Sequence, residues 1–153
     1  MTIGVKIKPV DILLVEDNAG DIRLTQEALK DVKLAVNLHV VNDGIEAMAF
    51  MRREGQYASK PRPDIVLLDL NLPKKDGREV LAEIKGDPIL KRTPVVIVTT
   101  SKAEEDIIKT YDLHANCYVT KPLDLDQFVI MVQSIEHFWL TIVKLPTEGL
   151  VRV

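Results

Sequence analysis

Short, continuously apolar runs are the feature of this sequence that most limits its fold. The clearest run extends from Ile65 to Leu68 and leads directly into Asp69, and Pro73 then stops any further strand. A strand with no polar face is typical of a parallel sheet that is buried on both sides. The run therefore predicts a buried parallel strand that ends in a carboxylate.

Apolar runs and helical patterns alternate along the chain. The predicted strands are Val10–Val15, Leu38–Val41, 64–69, Pro94–Val98 and Ala115–Val119. The predicted helices are, approximately, Ala19–Val32, Ile45–Arg53, Arg78–Lys85, Lys102–Tyr111 and Asp124–Val143. Because short connections join alternating strands and helices, we expect a parallel sheet with helices on both faces. The expected fold class is α/β, a doubly wound sheet of five parallel strands in the order 2-1-3-4-5 with five helices.

The composition fits one globular domain. The chain has 153 residues, of which 46% are hydrophobic and 28% charged, so a packed core is expected. We expect an N-terminal extension over 1–9, a domain over 10–143 and a C-terminal tail over 144–153. The net charge of −3 indicates no nucleic-acid partner, and no apolar run is long enough to cross a membrane. The single cysteine, Cys117, fits a reducing compartment and predicts a cytoplasmic protein.

Polar residues follow four of the predicted strands. Glu16 and Asp17 follow the first strand, and Asp69 follows the third. Thr99 follows the fourth strand, and Lys121 follows the fifth. Because the carboxyl ends of parallel strands lie at one edge of the sheet, these residues are expected to meet in one crevice.

The chemistry of this set indicates phosphoryl transfer. Three carboxylates in one crevice repel each other unless they share a cation, and their oxygens suit a hard divalent ion such as Mg²⁺. The Lys121 ammonium and the Thr99 hydroxyl would bind oxygens of a tetrahedral anion such as a phosphoryl group. Asp69 is then the expected nucleophile. A lone aspartate after a strand would instead be an ordinary solvated turn residue.

These residues resemble the receiver domain of two-component response regulators. The resemblance covers residues 10 to about 140 and rests on Glu16-Asp17, Asp69 with Leu72-Pro73 and Asp76-Gly77, Thr99, and Lys121-Pro122. The segment 70–81 and Phe138-Trp139-Leu140 are similar, more narrowly, to the single-domain response regulators that partner cyanobacterial phytochromes. The resemblance implies the flavodoxin-like receiver fold and a histidine kinase, of phytochrome type, as partner.

The resemblance also implies a phosphoacceptor and a metal site. Asp69 would accept the phosphoryl group from the phosphohistidine of the kinase. Asp17 and Asp69 would ligate Mg²⁺ directly, and Glu16 would act through water. The backbone carbonyl of Asn71 would fill another position of the metal.

Further residues would sense the phosphoryl group. By the same resemblance, Lys121 pairs with a phosphoryl oxygen, and its peptide bond to Pro122 is cis. Thr99 moves to bond the phosphoryl group, and Tyr118 matches the aromatic residue that then turns inward. The alternative for Tyr118 is a half-buried strand tyrosine that does not switch.

The last predicted helix is more apolar than one core face requires, which favours a partner surface. We expect homodimerisation through the last helices, with a tail that only caps the core as the alternative. The candidate dimer surface is Met131, Phe138, Trp139, Ile142 and Val143. Because too few residues follow this helix for an output domain, we expect the protein to act on another protein or as a phosphate shuttle, and not as an enzyme.

Three other functions share part of this pattern. A haloacid-dehalogenase type phosphatase would have a second aspartate two residues after the nucleophile, where Asn71 stands. A flavodoxin-like FMN binder would need a Ser/Thr/Gly-rich phosphate loop after the first strand, where Glu16 and Asp17 would repel phosphate. A degraded receiver that acts only as a scaffold would lack part of the set, which is complete here.

Overall fold

The computed structural model describes residues 9–30, 35–100, 104–115, 117–121 and 126. The strands are β1 (Val10–Val15), β2 (Val36–Val41), β3 (Ile65–Leu68), β4 (Val95–Thr99) and β5 (Cys117–Thr120). The α-helices in these ranges are α1 (Ala19–Lys30), α2 (Gly44–Arg52), α3 (Gly77–Gly86) and α4 (Glu104–Asp112). Short 3₁₀ turns at Gly55–Tyr57 and Leu90–Arg92 lie in the loops before β3 and β4.

The sheet confirms the predicted topology. Its five strands are parallel and lie in the order β2-β1-β3-β4-β5. Every residue of β3 is buried, as its apolar run predicts. β3 lies between β1 and β4, with Leu68 in register with Val15 on one side and Ile97 on the other. The end of β3 is therefore at the centre of the carboxyl edge.

Alternate residues of the strands supply two separate cores. Leu13 and Val66 pack with α2 and α3 on one face of the sheet. Ile12 and Leu67 pack with α1 on the other face. This two-sided burial explains why β1 and β3 tolerate almost no polar residue along their length.

Some element boundaries differ from the prediction. β2 begins at Val36, two residues before the predicted Leu38, because Val36 and Asn37 already pair with the start of β1. β5 begins at Cys117 instead of the predicted Ala115, and β4 and β5 extend through Thr99 and Thr120, which lie opposite each other. Backbone pairing thus continues where the apolar pattern stops.

Several predictions fall on residues outside the described ranges. Of the last predicted helix, the structure describes Asp126, which is helical. The division into 1–9, 10–143 and 144–153 therefore stays a prediction. Within the described part of the chain, no helix has the length and apolar character that a membrane span requires.

Side chains at the first turns fix where the helices begin. The Asp43 carboxylate accepts the Glu46 N–H at 2.8 Å, and the Asp76 carboxylate accepts the Arg78 N–H at 3.0 Å. The Arg78 guanidinium also forms a two-bond pair with Asp106 of α4, at 2.8 and 3.1 Å. The start of α3 is therefore tied both to its own cap and to the neighbouring helix.

Tyr57 connects the loop after α2 with the core. Its hydroxyl donates a hydrogen bond to the Glu46 carboxylate, and its ring lies 5.2 Å from the ring of Phe50 between centroids. Burial, together with the hydrogen bond and the charge of Glu46, raises the pKa of Tyr57 to about 12.

We expect this raised pKa to be measurable by absorbance titration of tyrosinate. Since the folded-state pKa lies above the ordinary value of about 10, the interaction stabilises the fold fully below pH 10 and is lost as the pH rises towards 12. Tyr57→Phe should remove the ionisation near pH 12 and lower the free energy of unfolding at neutral pH by about 1 kcal/mol. Tyr111→Phe, on an exposed ring of α4, is the matched control and should keep that ionisation. A wild-type titration complete before pH 11 would contradict the contact.

Candidate functional site

The predicted site residues meet at the carboxyl edge of the sheet. Glu16, Asp69, Thr99 and Lys121 are buried there, and Asp17 is exposed. Backbone hydrogen bonds hold the strand ends level: the Asp69 N–H donates to the carbonyl at the end of β1 at 3.1 Å, and the Lys121 N–H donates to the Thr99 carbonyl at 2.6 Å. The sequence correctly predicted that these residues lie together.

The Lys121 ammonium is the centre of this group. Its Nζ lies 2.5 Å from Glu16 Oε1, 2.8 Å from Asp21 Oδ2 and 3.0 Å from Asp69 Oδ2. An ammonium group has three N–H donors, so these three carboxylates can use all of them. Lys121 therefore joins the ends of β1 and β3 to the first turn of α1.

Burial and ion pairing act in opposite directions on this cluster. Burial lowers the pKa of the Lys121 ammonium, but the hydrogen bonds to Asp21 and Glu16 and the charge of Asp69 outweigh it and raise that pKa above its ordinary value. Burial raises the pKa of the Glu16 carboxyl, while the Lys121 hydrogen bond opposes that rise. Lys121 consequently stays positively charged throughout the physiological pH range.

Three carboxylates form a group that fits a divalent cation. Glu16, Asp17 and Asp69 each offer one oxygen, and these oxygens lie within 4.8 Å of one another. Glu16 Oε2 also accepts the N–H groups of Asp17 and Asn18, both at 3.1 Å, and its other oxygen accepts from Lys121. An all-oxygen, acidic donor set suits Mg²⁺ or another hard cation.

Asp69 has a hydrogen-bond donor on each carboxylate oxygen. Oδ2 accepts from Lys121, and Oδ1 accepts the Asn71 N–H at 3.1 Å. The side-chain amide nitrogen of Asn71 also donates a hydrogen bond to the hydroxyl of the fully buried Thr99, at 3.3 Å. The Asp69 carboxylate is thus held in a fixed orientation. Asn71 links it to Thr99, because its backbone N–H contacts Asp69 and its side chain contacts Thr99. The metal role of the Asn71 carbonyl stays a prediction.

Tyr118 is half-buried on β5 and packs against the core between the sheet and α2–α3. This position is compatible with either a switching or a static role, so its switching stays a prediction. The peptide bond to Pro122 lies outside the described residues. So does the whole candidate dimer surface: Met131, Phe138, Trp139, Ile142 and Val143.

Asp21 is a member of the cluster that the sequence did not reveal. It lies three residues after Asn18. The side-chain oxygen of Asn18 accepts the Asp21 N–H at 2.9 Å and so caps the start of α1. An acidic residue in a first helical turn is already explained by capping and the helix dipole. Its partner, Lys121, is 100 residues away in the chain, so no local pattern points to the pair.

Comparison with known proteins places the chain among signalling proteins. A family model described as the response regulator receiver domain matches residues 12–133. Response regulator Rcp1 of Synechocystis sp. is 56% identical over 138 residues, which are 90% of this chain and 94% of Rcp1. Both the family match and this similarity extend across the whole described site.

Two solved structures are similar in fold and in sequence. The phosphorylated cyanobacterial phytochrome response regulator RcpA has 59% sequence identity and a TM-score of 0.79, and the match covers 87% of this chain and 95% of RcpA. The Mn²⁺-bound form of Rcp1 has 57% identity and a TM-score of 0.78, with 86% and 95% covered. At these identities the similarity concerns more than the fold.

Gly77 allows α3 to begin directly against the backbone that carries the site. A Cβ atom at this position would lie 2.2 Å from the Asp69 carbonyl oxygen and 2.6 Å from the Leu70 Cα. The Gly77 N–H also donates to the Leu70 carbonyl at 2.9 Å. No side chain can be accommodated there unless the backbone next to Asp69 shifts.

Gly77→Ala is expected to lower the free energy of unfolding by about 2 kcal/mol or more, because the added methyl overlaps main-chain atoms. Gly86→Ala is the matched control at the other end of α3, where a Cβ would meet nothing within 4 Å. It should be neutral or slightly stabilising, since alanine favours the helix. Urea unfolding of both variants measures the difference, and equal stabilities would contradict the close approach at Gly77.

Proposed function

The chain belongs to the response regulator receiver family, and from this membership we propose that it accepts a phosphoryl group on Asp69 from a histidine kinase of the phytochrome type. It is a signalling protein closely related to response regulator Rcp1 and to the cyanobacterial phytochrome response regulator RcpA. The observation that carries the proposal is the environment of Asp69. A buried carboxylate lies between a lysine ammonium and a backbone N–H, next to two further acidic side chains.

In the proposed transfer, an Asp69 oxygen forms a bond to phosphorus while the phosphorus–nitrogen bond of the kinase phosphohistidine breaks. Lys121 neutralises the phosphoryl oxygens, and the Asn71 N–H keeps the acceptor carboxylate oriented. Asp17 and Asp69 would hold Mg²⁺ directly, with Glu16 acting through water and the Asn71 carbonyl as a further ligand. When bound, the cation supplies charge neutralisation between the acidic side chains and the incoming group. The Mn²⁺-bound form of Rcp1 supports a divalent ion here.

Phosphorylation of Asp69 would act by changing the charge of the site. A phosphoryl group adds about −1.5 to −2 charges and new acceptor oxygens at this rigid edge of the sheet. We propose that Thr99 then moves towards the phosphoryl group and that Tyr118 turns inward. The hydrogen bond from the Asn71 side chain to the Thr99 hydroxyl supports this coupling, since it links the loop after Asp69 with the end of β4. The altered surface would be that of α4, β5 and the helix predicted after it.

The relatives and the sequence support the proposed partners. Rcp1 and RcpA are both similar in sequence to this chain. RcpA is a cyanobacterial phytochrome response regulator, which supports a light-sensing kinase as phosphodonor. Downstream we propose a protein target or a phosphotransfer protein, and no catalytic turnover of a small molecule. The Asn71 position argues against the phosphatase alternative, because the second aspartate of that class is replaced there.

Asp69→Asn should retain the fold and lose phosphate uptake completely, because the amide is not a nucleophile. Acetyl phosphate with Mg²⁺, and a phosphorylated phytochrome-type kinase, are the donors, and intact mass measures the product. Asp64→Asn is the control, since Asp64 lies just before the N-terminal end of β3, whereas Asp69 follows its C-terminal end. It should be phosphorylated like the wild type.

Uptake that continues in Asp69→Asn would disprove the acceptor assignment. Uptake from acetyl phosphate that is insensitive to a chelator would disprove the role of Mg²⁺. Faster transfer from a kinase without a phytochrome sensor than from a phytochrome-type kinase would contradict the proposed partner while leaving the acceptor in place.

We further propose a homodimer through the last predicted helix, on the strength of its surplus apolar residues. Sedimentation at tens of micromolar should give a dimer for the wild type. Phe138→Lys should shift the protein to the monomer, because a charge opposes burial of that surface. Ile45→Lys, at an exposed position of α2, is the control and should leave the protein dimeric. A wild type that is monomeric under these conditions would refute the dimer.

A further inference from the structure

The carboxylate of Asp21 has no part in the phosphoryl transfer described above, yet it binds the residue on which that transfer depends. Its Oδ2 lies 2.8 Å from Lys121 Nζ, a shorter distance than the 3.0 Å between Nζ and Asp69. Its side chain is 36% exposed, whereas the side chains of Lys121, Glu16 and Asp69 are all below 10%. Asp21 therefore holds the ammonium from the solvent side of the cluster.

We propose that Asp21 is a positioning residue for Lys121: together with Glu16 it holds two of the ammonium N–H groups and so directs the third towards Asp69 and the group that Asp69 carries. This inference rests on the proposed function of Asp69. A lysine side chain has four rotatable carbons and no planar group, so one partner alone leaves its charge free to move. Two carboxylates on different elements restrict it.

Rigid elements fix both anchors. Asp21 is in the first turn of α1, where its N–H is capped by Asn18 and its carbonyl accepts the Thr25 hydroxyl at 3.0 Å. Glu16 is held by the two backbone N–H groups that follow it. When Asp69 gains a phosphoryl group, Lys121 can exchange its bond to the Asp69 carboxylate for a phosphoryl oxygen and keep the other two bonds. The ammonium then need not be reoriented.

A simple effect of charge would act in the opposite direction. If Asp21 only added negative charge to the cluster, its removal would reduce repulsion and strengthen the binding of an anion at Asp69. If Asp21 positions Lys121, its removal weakens anion binding although the cluster becomes less negative. The sign of the change therefore separates the two roles.

The test measures the affinity of the full-length protein for beryllofluoride, an analogue of the phosphoryl group, by fluorine NMR at saturating Mg²⁺. We expect Asp21→Ala to bind it about tenfold more weakly than the wild type, as the loss of a partly exposed charged hydrogen bond implies. Asp21→Asn should bind with an intermediate affinity, since the amide oxygen accepts from the ammonium less strongly than a carboxylate does. Should the alanine variant not fold, the asparagine variant carries the same test.

Glu27→Ala is the matched control. It removes a carboxylate from the same helix, at an exposed position that pairs with Lys30 at 3.3 Å, and should leave the affinity unchanged. Unchanged or tighter binding in both Asp21 variants would overturn the positioning role alone. No binding to the wild type, or binding retained in Asp69→Asn, would overturn the proposed function and this inference with it.

Discussion

One ammonium group among three carboxylates is the interaction on which this site depends. Lys121 joins the loop after β1, the first turn of α1 and the end of β3, and it stays charged although it is buried. Burial of charged groups costs free energy, and a well-packed apolar cluster would stabilise the fold at least as well. We therefore attribute the cluster to the proposed chemistry of the site and not to the stability of the fold.

The fold holds this cluster through backbone contacts. Parallel strands bring their carboxyl ends to one edge, and hydrogen bonds from the Asp69 and Lys121 N–H groups to neighbouring strand ends keep that edge level. Gly77 lets α3 start against the main chain that carries Asp69, and Asp76 caps the helix there. Main-chain contacts thus help to position Asp69, the proposed acceptor.

The rigidity of this site supports the proposed phosphoryl switch. Where the surroundings of a carboxylate are fixed, an added phosphoryl charge cannot be absorbed by local rearrangement, and it biases whichever neighbouring element has two arrangements. We propose the end of β4 as that element, since the Asn71 side-chain amide donates a hydrogen bond to the Thr99 hydroxyl there. The similarity to response regulator Rcp1 and to the phytochrome response regulator RcpA places the chain among signalling proteins.

The sequence by itself determined the α/β fold class, the strand order and the edge at which the polar residues meet. It did so because an apolar run without a polar face requires burial on both sides, and because parallel strands end together. The start of β2 escaped prediction, since backbone pairing extends beyond the apolar pattern. Only the tertiary structure decided that Asp21 contacts Lys121. A pattern along the chain reports local preferences, whereas the partner of a side chain 100 residues away depends on how separate elements pack.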